Sequence, residues 1–196
     1  MDLNNFRHCV SNNQPCSSCK VKKWRMALEN KHQRALRLWI QAGLNIPEVV
    51  DLKGDAGYLL NNMIAKYTLS ADHYAISEAA LQNLIEEGVD LNKTHKRRRF
   101  YGKGKTYLYE HSIPAKIIRT ELLKSDRSEA TIKKILKRAG QVALILRTEN
   151  NMLTDAKLRS CMPPEWTLDG DTEARYKVVG ITISKQSLKV SGAIVR

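Results

Sequence analysis

The stretch TYLYEHSIPAK, residues 106–116, holds the residue types best suited to chemistry. Its alternating pattern predicts a strand, which ends with an acid, Glu110, directly beside an imidazole, His111, shortly before Pro114. A carboxylate is a natural ligand of a divalent cation, and an imidazole with a pKa near ~6.5 can accept a proton from water at neutral pH. Neighbours on a strand face opposite sides, so the two groups can act together only if the strand ends or bulges there.

A second set of polar groups follows the apolar run VALILR, which predicts a buried strand. The next residues, TENNMLTDAKLRS, predict a helix that is capped by Thr148 and carries Asn150 and Asn151 in its first turn. An amide oxygen can complete a cation site, although Asn in a first helical turn is more often a capping residue.

Three cysteines near the N-terminus, together with one histidine, could form a structural Cys₃His zinc centre. The cysteines have the spacing C-x6-C-x2-C, and twelve residues separate the last of them from the histidine. His8 and Cys161 are alternative fourth ligands, and three unpaired surface thiols are the alternative to any metal. The predicted zinc ligands are Cys9, Cys16, Cys19 and His32.

A run of basic residues, KRRRFYGKGK, precedes the predicted strand and contains no acid. Gly102 and Gly104 predict a turn, so we expect a β-hairpin with a basic tip. Cations interleaved with Phe100 and Tyr101 favour contact with phosphates over a merely solvated charged face. The predicted nucleic-acid-binding residues are Lys96, Arg97, Arg98, Arg99, Lys103 and Lys105.

The overall charge points to a polyanionic partner. The chain has 196 residues, with 33 Lys and Arg against 20 acids, and a net charge of +13. Nucleic acid is the first expectation from such an excess, and a membrane surface is the second. The sequence contains neither an apolar run of membrane-spanning length nor the apolar core of a signal peptide, so we expect a cytoplasmic protein with no membrane partner.

Patterning along the chain predicts an α+β protein in three regions. Residues 1–23 form a Cys-bearing arm with a possible zinc site, and residues 24–92 form a helical region, with one helix from Ser70 to Gly88. Residues 93–196 contain the predicted strands, two helices between them and a C-terminal β segment.

The order strand, strand, helix resembles the ββα-metal core of the HNH endonuclease superfamily. EHSIP is similar to the acid-His-x-x-Pro stretch of these nucleases, and LRTENNM is similar to the strand-to-helix segment that carries their Asn. The resemblance covers about residues 100–160, makes residues 93–196 an HNH-like nuclease region, and implies that the two helices between the strands are an insertion. Glu stands where Asp or a second His is common, and no His follows residue 111.

The resemblance also implies roles for individual residues. Glu110 and Asn151 would hold a catalytic Mg²⁺ or Mn²⁺ ion, and His111 would be the general base that activates water for phosphodiester hydrolysis. Asn150 is an alternative to Asn151 as the second ligand. Asp155, four residues after Asn151 on the same helix, could be a third ligand.

Two functions therefore compete. The first is a metal-dependent DNA endonuclease of the restriction or phage type, whose helical region contributes binding or homodimerisation, with a bacterial toxin nuclease as a variant. The second is a non-enzymatic, basic, zinc-containing module that binds nucleic acid, in which Glu110 and His111 have no catalytic role.

Overall fold

The structure of the protein is a computed structural model that describes residues 29–50, 55–100 and 104–192. Over these residues the chain forms eight α-helices and one five-stranded mixed sheet, which confirms the predicted α+β class. The helices are α1 (Lys31–Leu44), α2 (Pro47–Val50), α3 (Asp55–Leu69), α4 (Glu78–Glu86), α5 (Ala115–Lys124), α6 (Glu129–Ala139), α7 (Arg147–Asp155) and α8 (Ala174–Val178). The strands are β1 (His73–Ser77), β2 (His95–Lys96), β3 (Tyr107–His111), β4 (Val142–Leu146) and β5 (Ile183–Ser191).

The strand order in the sheet is β2-β5-β1-β4-β3. The central strands β1 and β4 run parallel, with Ala75 opposite Ala143, whereas β5 is antiparallel to β1 and β3 is antiparallel to β4. The last four residues of β1 are buried, because this strand has neighbours on both edges and helices over both faces.

Different helices cover the two faces of the sheet. Tyr74 and Ile76 of β1 lie in one apolar cluster with residues of α4. Ala75, between them, lies in a second cluster with Leu153 of α7 and Tyr176 of α8. Side chains alternate between the faces of a strand, so these clusters are the two sides of the sheet.

A third apolar cluster joins α1, α3, α5 and α6. In α6 the buried residues recur with the spacing i, i+3, i+4 and i+7, which puts them on one face of the helix. Ser128 caps this helix and Gly140 ends it, as the sequence predicts, and α5 begins directly after Pro114 as expected. The buried residues of α6 are Ile132, Ile135, Leu136 and Ala139.

The prediction of a helix from Ser70 to Gly88 is wrong in its first half. His73–Ser77 is the central strand of the sheet, and the helix begins only afterwards. Ser77 is the capping residue, and its Oγ accepts a hydrogen bond from the backbone N–H of Ala80 at 3.1 Å. Burial of HYAIS between two strands decides its conformation, and this long-range pairing is invisible to a local pattern.

The prediction of a β-hairpin with a basic tip around Gly102 and Gly104 is also wrong. Gly104 does adopt the left-handed conformation that favours glycine, with φ 75°, but the segments on either side of it do not pair with each other. Instead β2 pairs with β5 and β3 pairs with β4, at opposite edges of the sheet. The strands β2 and β3 run in the same direction, so the glycine turn does not join two antiparallel strands, and turn chemistry alone does not identify the partner of a strand.

Candidate functional site

The predicted order strand, strand, helix is present in β3, β4 and α7, and the structure shows that the two strands are antiparallel. The register is regular, from Tyr107 opposite Leu146 to His111 opposite Val142. The helix begins at Arg147, directly after β4, so Thr148 is not its capping residue. Glu149 fixes this start because its Oε2 accepts hydrogen bonds from the backbone N–H of Leu146 at 2.8 Å and from the Ser77 hydroxyl at 2.6 Å.

Glu110 and His111 contact different parts of the protein. The ladder with β4 continues without a bulge to His111, so consecutive side chains of β3 point to opposite faces. Glu110 forms an ion pair with Arg175 of α8, whereas His111 Nδ1 lies 2.8 Å from the Thr68 hydroxyl of α3. The structure therefore does not bring the two predicted catalytic groups together.

Arg175 is the most extensively bonded side chain near the predicted site, and its guanidinium is fully buried. All five of its N–H donors have acceptors. Nε donates to Ser112 O at 3.1 Å, and Nη2 donates to Glu110 Oε1 and to His111 O. Nη1 donates to the carbonyl groups that follow α7, those of Leu158 at 2.8 Å and Arg159 at 3.1 Å.

Arg175 is not predictable from the sequence, because one arginine among 33 basic residues carries no distinguishing signal. Its position shows that Glu110 serves as the counter-ion of a buried cation, since an unpaired buried guanidinium would be strongly destabilising. Arg175 also ties the end of β3 to the loop after α7.

The hydrogen bonds around His111 define its tautomer. The Thr68 hydroxyl donates its single hydrogen to Ala65 O at 2.9 Å, so it must accept from His111 Nδ1. The proton of the neutral ring therefore lies on Nδ1, and Nε2 carries a lone pair. Burial, together with the nearby Arg175 cation, lowers the pKa of His111 to about 4. The imidazole is therefore uncharged at neutral pH and can act as a hydrogen-bond or proton acceptor.

The low pKa of His111 predicts how stability depends on pH. The unfolded chain should bind a proton near pH ~6.5 and the folded chain only near pH 4. Unfolding therefore takes up a proton between these values, and stability present above pH ~6.5 should be lost as the pH falls towards 4. The shift sets an upper limit of about 3 kcal/mol on this loss. Urea unfolding between pH 7.5 and 4.5 should show a steeper loss for the wild type than for His111→Gln.

The exposed His73 supplies the control for this prediction. His73→Gln should keep the wild-type slope of stability against pH. Equal slopes for His111→Gln and the wild type would contradict the assigned pKa.

The remaining predicted cation ligands lie on α7. Glu149 and Leu153 form the buried side of this helix, Asn150 is half-buried, and Asn151 and Asp155 are exposed. Within residues 29–50, 55–100 and 104–192, no three His, Cys, Asp or Glu side chains gather where they could hold a metal ion.

The predicted residues do not fit a Mg²⁺ ion in this conformation. One carboxylate oxygen of Glu110 is occupied by Arg175, and His111 is directed to the opposite face of the sheet. Asn151 lies on the solvent side of α7. Their roles in catalysis stay predictions that the variants described below can test.

The predicted zinc centre lies mostly outside the described residues. Cys9, Cys16, Cys19 and the alternative ligand His8 all fall there, whereas His32 is exposed near the start of α1. Cys161, the other alternative ligand, is an exposed free thiol. The structural zinc therefore stays a prediction.

The basic segment, residues 96–105, contains one residue with a clear internal role. Arg97 is buried, and it donates hydrogen bonds to the Tyr74 hydroxyl at 3.1 Å, to Ala71 O at 2.6 Å and to Gly192 O. Its guanidinium supports the fold and is not free to contact a phosphate in this conformation. Phe100 is also buried, so it cannot stack on a base.

The other predicted phosphate contacts differ in their surroundings. Lys96, Arg98 and Lys105 are exposed, and Lys103 lies outside the described residues. Arg99 is exposed, but it lies 3.0 Å from His95 Nδ1 and its guanidinium is 5.3 Å from the centre of the Phe100 ring. The clearest candidates for phosphate contact are therefore Lys96, Arg98 and Lys105.

No family model matches the chain, and no curated protein or solved structure matches it either. Among the helices of the described residues, none is both long enough and apolar enough to span a membrane.

Proposed function

We propose that the protein binds nucleic acid through its cationic surface. The observation that carries this proposal is the charge of residues 115–140, the pair of helices between β3 and β4, which holds eight cations against three acids. One of these acids, Glu129, is paired with the buried Arg37 at 2.9 Å and so offsets an internal charge. Arg127 and Arg138 donate to backbone carbonyl groups of the protein, and the cations that remain exposed are five lysines. The surface of this insertion is therefore cationic, as contact with phosphates requires. The five are Lys116, Lys124, Lys133, Lys134 and Lys137.

A second candidate function is phosphodiester hydrolysis by a metal-dependent DNA endonuclease. The specific observation in its favour is that α7 follows the antiparallel pair β3 and β4 directly, as in the ββα unit that the sequence resembles. His111 is neutral with an unprotonated Nε2, as a general base must be, but its pKa of about 4 makes it a weaker proton acceptor than an ordinary imidazole.

Binding can be tested at the exposed cations before and after Arg97. The triple variant Lys96→Gln, Arg98→Gln, Lys105→Gln should weaken binding to duplex DNA of any sequence. It should also flatten the plot of log K against log salt by about one unit for each lost phosphate contact. Fluorescence anisotropy of a labelled duplex, measured at several salt concentrations, gives both quantities.

The matched control removes the same number of positive charges from a different part of the surface. Lys66, Lys157 and Lys185 are exposed and lie outside the basic segment, so their triple Gln variant should keep most of the salt dependence. If the two triple variants behave alike, the basic segment has no special part in binding.

The two candidate functions differ in what happens to a plasmid. Supercoiled plasmid should remain intact with Mg²⁺, Mn²⁺ or EDTA if the protein only binds, and it should show a retarded band on a gel. Cleavage that requires the cation and stops in EDTA would establish the endonuclease. Discrete fragments would then indicate sequence specificity.

A further inference from the structure

A groove runs between α5, α6 and residues 161–169. It consists of two adjoining cavities of about 380 and 470 Å³. Both cavities are lined by Glu121 and Lys124 of α5 and by Leu168, so they form one continuous feature. The groove lies on the insertion between β3 and β4 and does not include Glu110 or His111.

The floor of this groove is apolar. Ile135 lines the first cavity and Ile117 and Trp166 line the second, while Leu168 is common to both. The Trp166 ring is half-buried and its orientation is fixed, because Nε1 donates a hydrogen bond to Asp171 O at 2.7 Å. A rigid indole at the wall of an open groove is suited to stacking against another planar group.

The rim of the groove is cationic. Lys124, Lys134 and Lys137 are exposed, and two acids, Glu121 and Asp169, accompany them. Glu121 Oε1 lies 3.5 Å from the Lys124 ammonium, and both side chains are open to solvent, so this pair is weak.

Arg138 has a different role, because it shapes the groove. Its Nε donates to Leu168 O at 3.0 Å, and its Nη2 donates to Asp169 O at 2.9 Å and to Gly170 O. These bonds hold the loop against α6 and keep the apolar floor beside the lysines. The three lysines are therefore the cations that remain for a ligand.

We propose that this groove binds an unpaired nucleic-acid strand, with bases against the apolar floor and phosphates beside Lys124, Lys134 and Lys137. Stacking on an aromatic side chain requires an exposed base face, which a duplex keeps inside its own stack. The inference rests on the proposed function and specifies both the surface and the form of nucleic acid that it binds.

Trp166 provides a direct readout of this inference. In a Trp24→Phe, Trp39→Phe background it is the one remaining tryptophan of the chain. Titration with the oligonucleotide (dT)₁₂ should quench its fluorescence in a saturable way. A blunt duplex of the same length should bind without this quenching, since its bases are not free to stack.

The lysines are tested separately in the chain that keeps all its tryptophans. Lys124→Gln, Lys134→Gln, Lys137→Gln should weaken (dT)₁₂ binding at least about tenfold at 100 mM salt, because three phosphate contacts are lost. The Lys66, Lys157, Lys185 triple Gln variant should change the (dT)₁₂ affinity less than about threefold. Circular dichroism verifies that each variant is folded.

The outcomes separate this inference from the proposed function. If the wild type binds neither (dT)₁₂ nor duplex, both fail. If it binds DNA but the groove variant keeps wild-type affinity, or saturating (dT)₁₂ leaves Trp166 fluorescence unchanged, only the groove inference fails. Equal quenching by duplex would overturn the preference for an unpaired strand.

Discussion

Arg175→Ala should lower the free energy of unfolding by about 5 kcal/mol, the largest effect that we expect from any single substitution near the predicted site. The variant leaves the Glu110 carboxylate without its partner and removes the donors from four buried or half-buried carbonyl groups. It also opens a cavity where a fully buried side chain stood. Urea unfolding at pH 7 measures this change, and the midpoint of thermal unfolding should fall by more than about 10 °C.

Two further variants sharpen this prediction. Arg175→Lys keeps the charge but cannot reach all five acceptors, so it should fall between Arg175→Ala and the wild type. Lys177→Ala, an exposed neighbour on the same helix, should cost less than about 1 kcal/mol. A loss below about 1 kcal/mol for Arg175→Ala would contradict the structural role that we assign to this side chain.

The same ion pair affects any test of Glu110 as a metal ligand. Glu110→Ala leaves a buried guanidinium unpaired, so a loss of activity in this variant would not distinguish a missing metal ligand from a damaged fold. Glu110→Gln keeps an oxygen that can accept from Arg175 while it removes the negative charge. Cleavage by Glu110→Gln should therefore require more Mg²⁺ if the carboxylate binds the cation.

His111→Gln should reduce DNA cleavage at least ~10²-fold without weakening DNA binding, if the protein is the endonuclease that its strand-strand-helix unit resembles. His111→Asn should behave in the same way, because its amide nitrogen occupies the position of Nδ1 and can donate to the Thr68 hydroxyl while the proton acceptor is lost. The measurement is the initial rate of plasmid cleavage under conditions in which anisotropy shows equal binding. A folded variant that cuts at the wild-type rate would exclude His111 as the base.

Neighbouring substitutions test the rest of the predicted site. Thr68→Val keeps the imidazole but removes the group that fixes its tautomer, and it should slow cleavage less than His111→Gln. If α7 supplies a ligand to the cation, Asn151→Ala should raise the Mg²⁺ concentration required for cleavage, while Asn150→Ala and Asp155→Ala show whether either neighbour takes part. If all three α7 variants respond to Mg²⁺ as the wild type does, the cation is not bound by this helix.

Elements with strong local signals are predictable from the sequence. Ser128 and Gly140 mark the ends of α6, Pro114 marks the start of α5, and the apolar run of β4 is buried as expected. These features depend on capping, on backbone restriction by proline and on hydrophobic periodicity, which act within a few residues.

Features that depend on distant residues are not predictable from local sequence patterns. HYAIS is a strand because β4 and β5 flank it, although the helix former EAALQNLIEE follows at once. The partner of Glu110 is Arg175, sixty-five residues away, and nothing in the sequence around either residue indicates the contact. The types of side chain can therefore suggest a chemistry. Only the fold decides whether the Glu110 carboxylate is available to a metal ion or is paired with an arginine.

The position of β5 has a consequence for the synthesis of the chain. This last strand of the described residues lies between β1 and β2, two strands that come much earlier in the sequence. A nascent chain that has not yet reached β5 would therefore leave one edge of β1 open and β2 without its neighbour. Completion of the sheet must wait until nearly all the described chain has emerged from the ribosome, so premature termination before Ile183 should yield an aggregation-prone product.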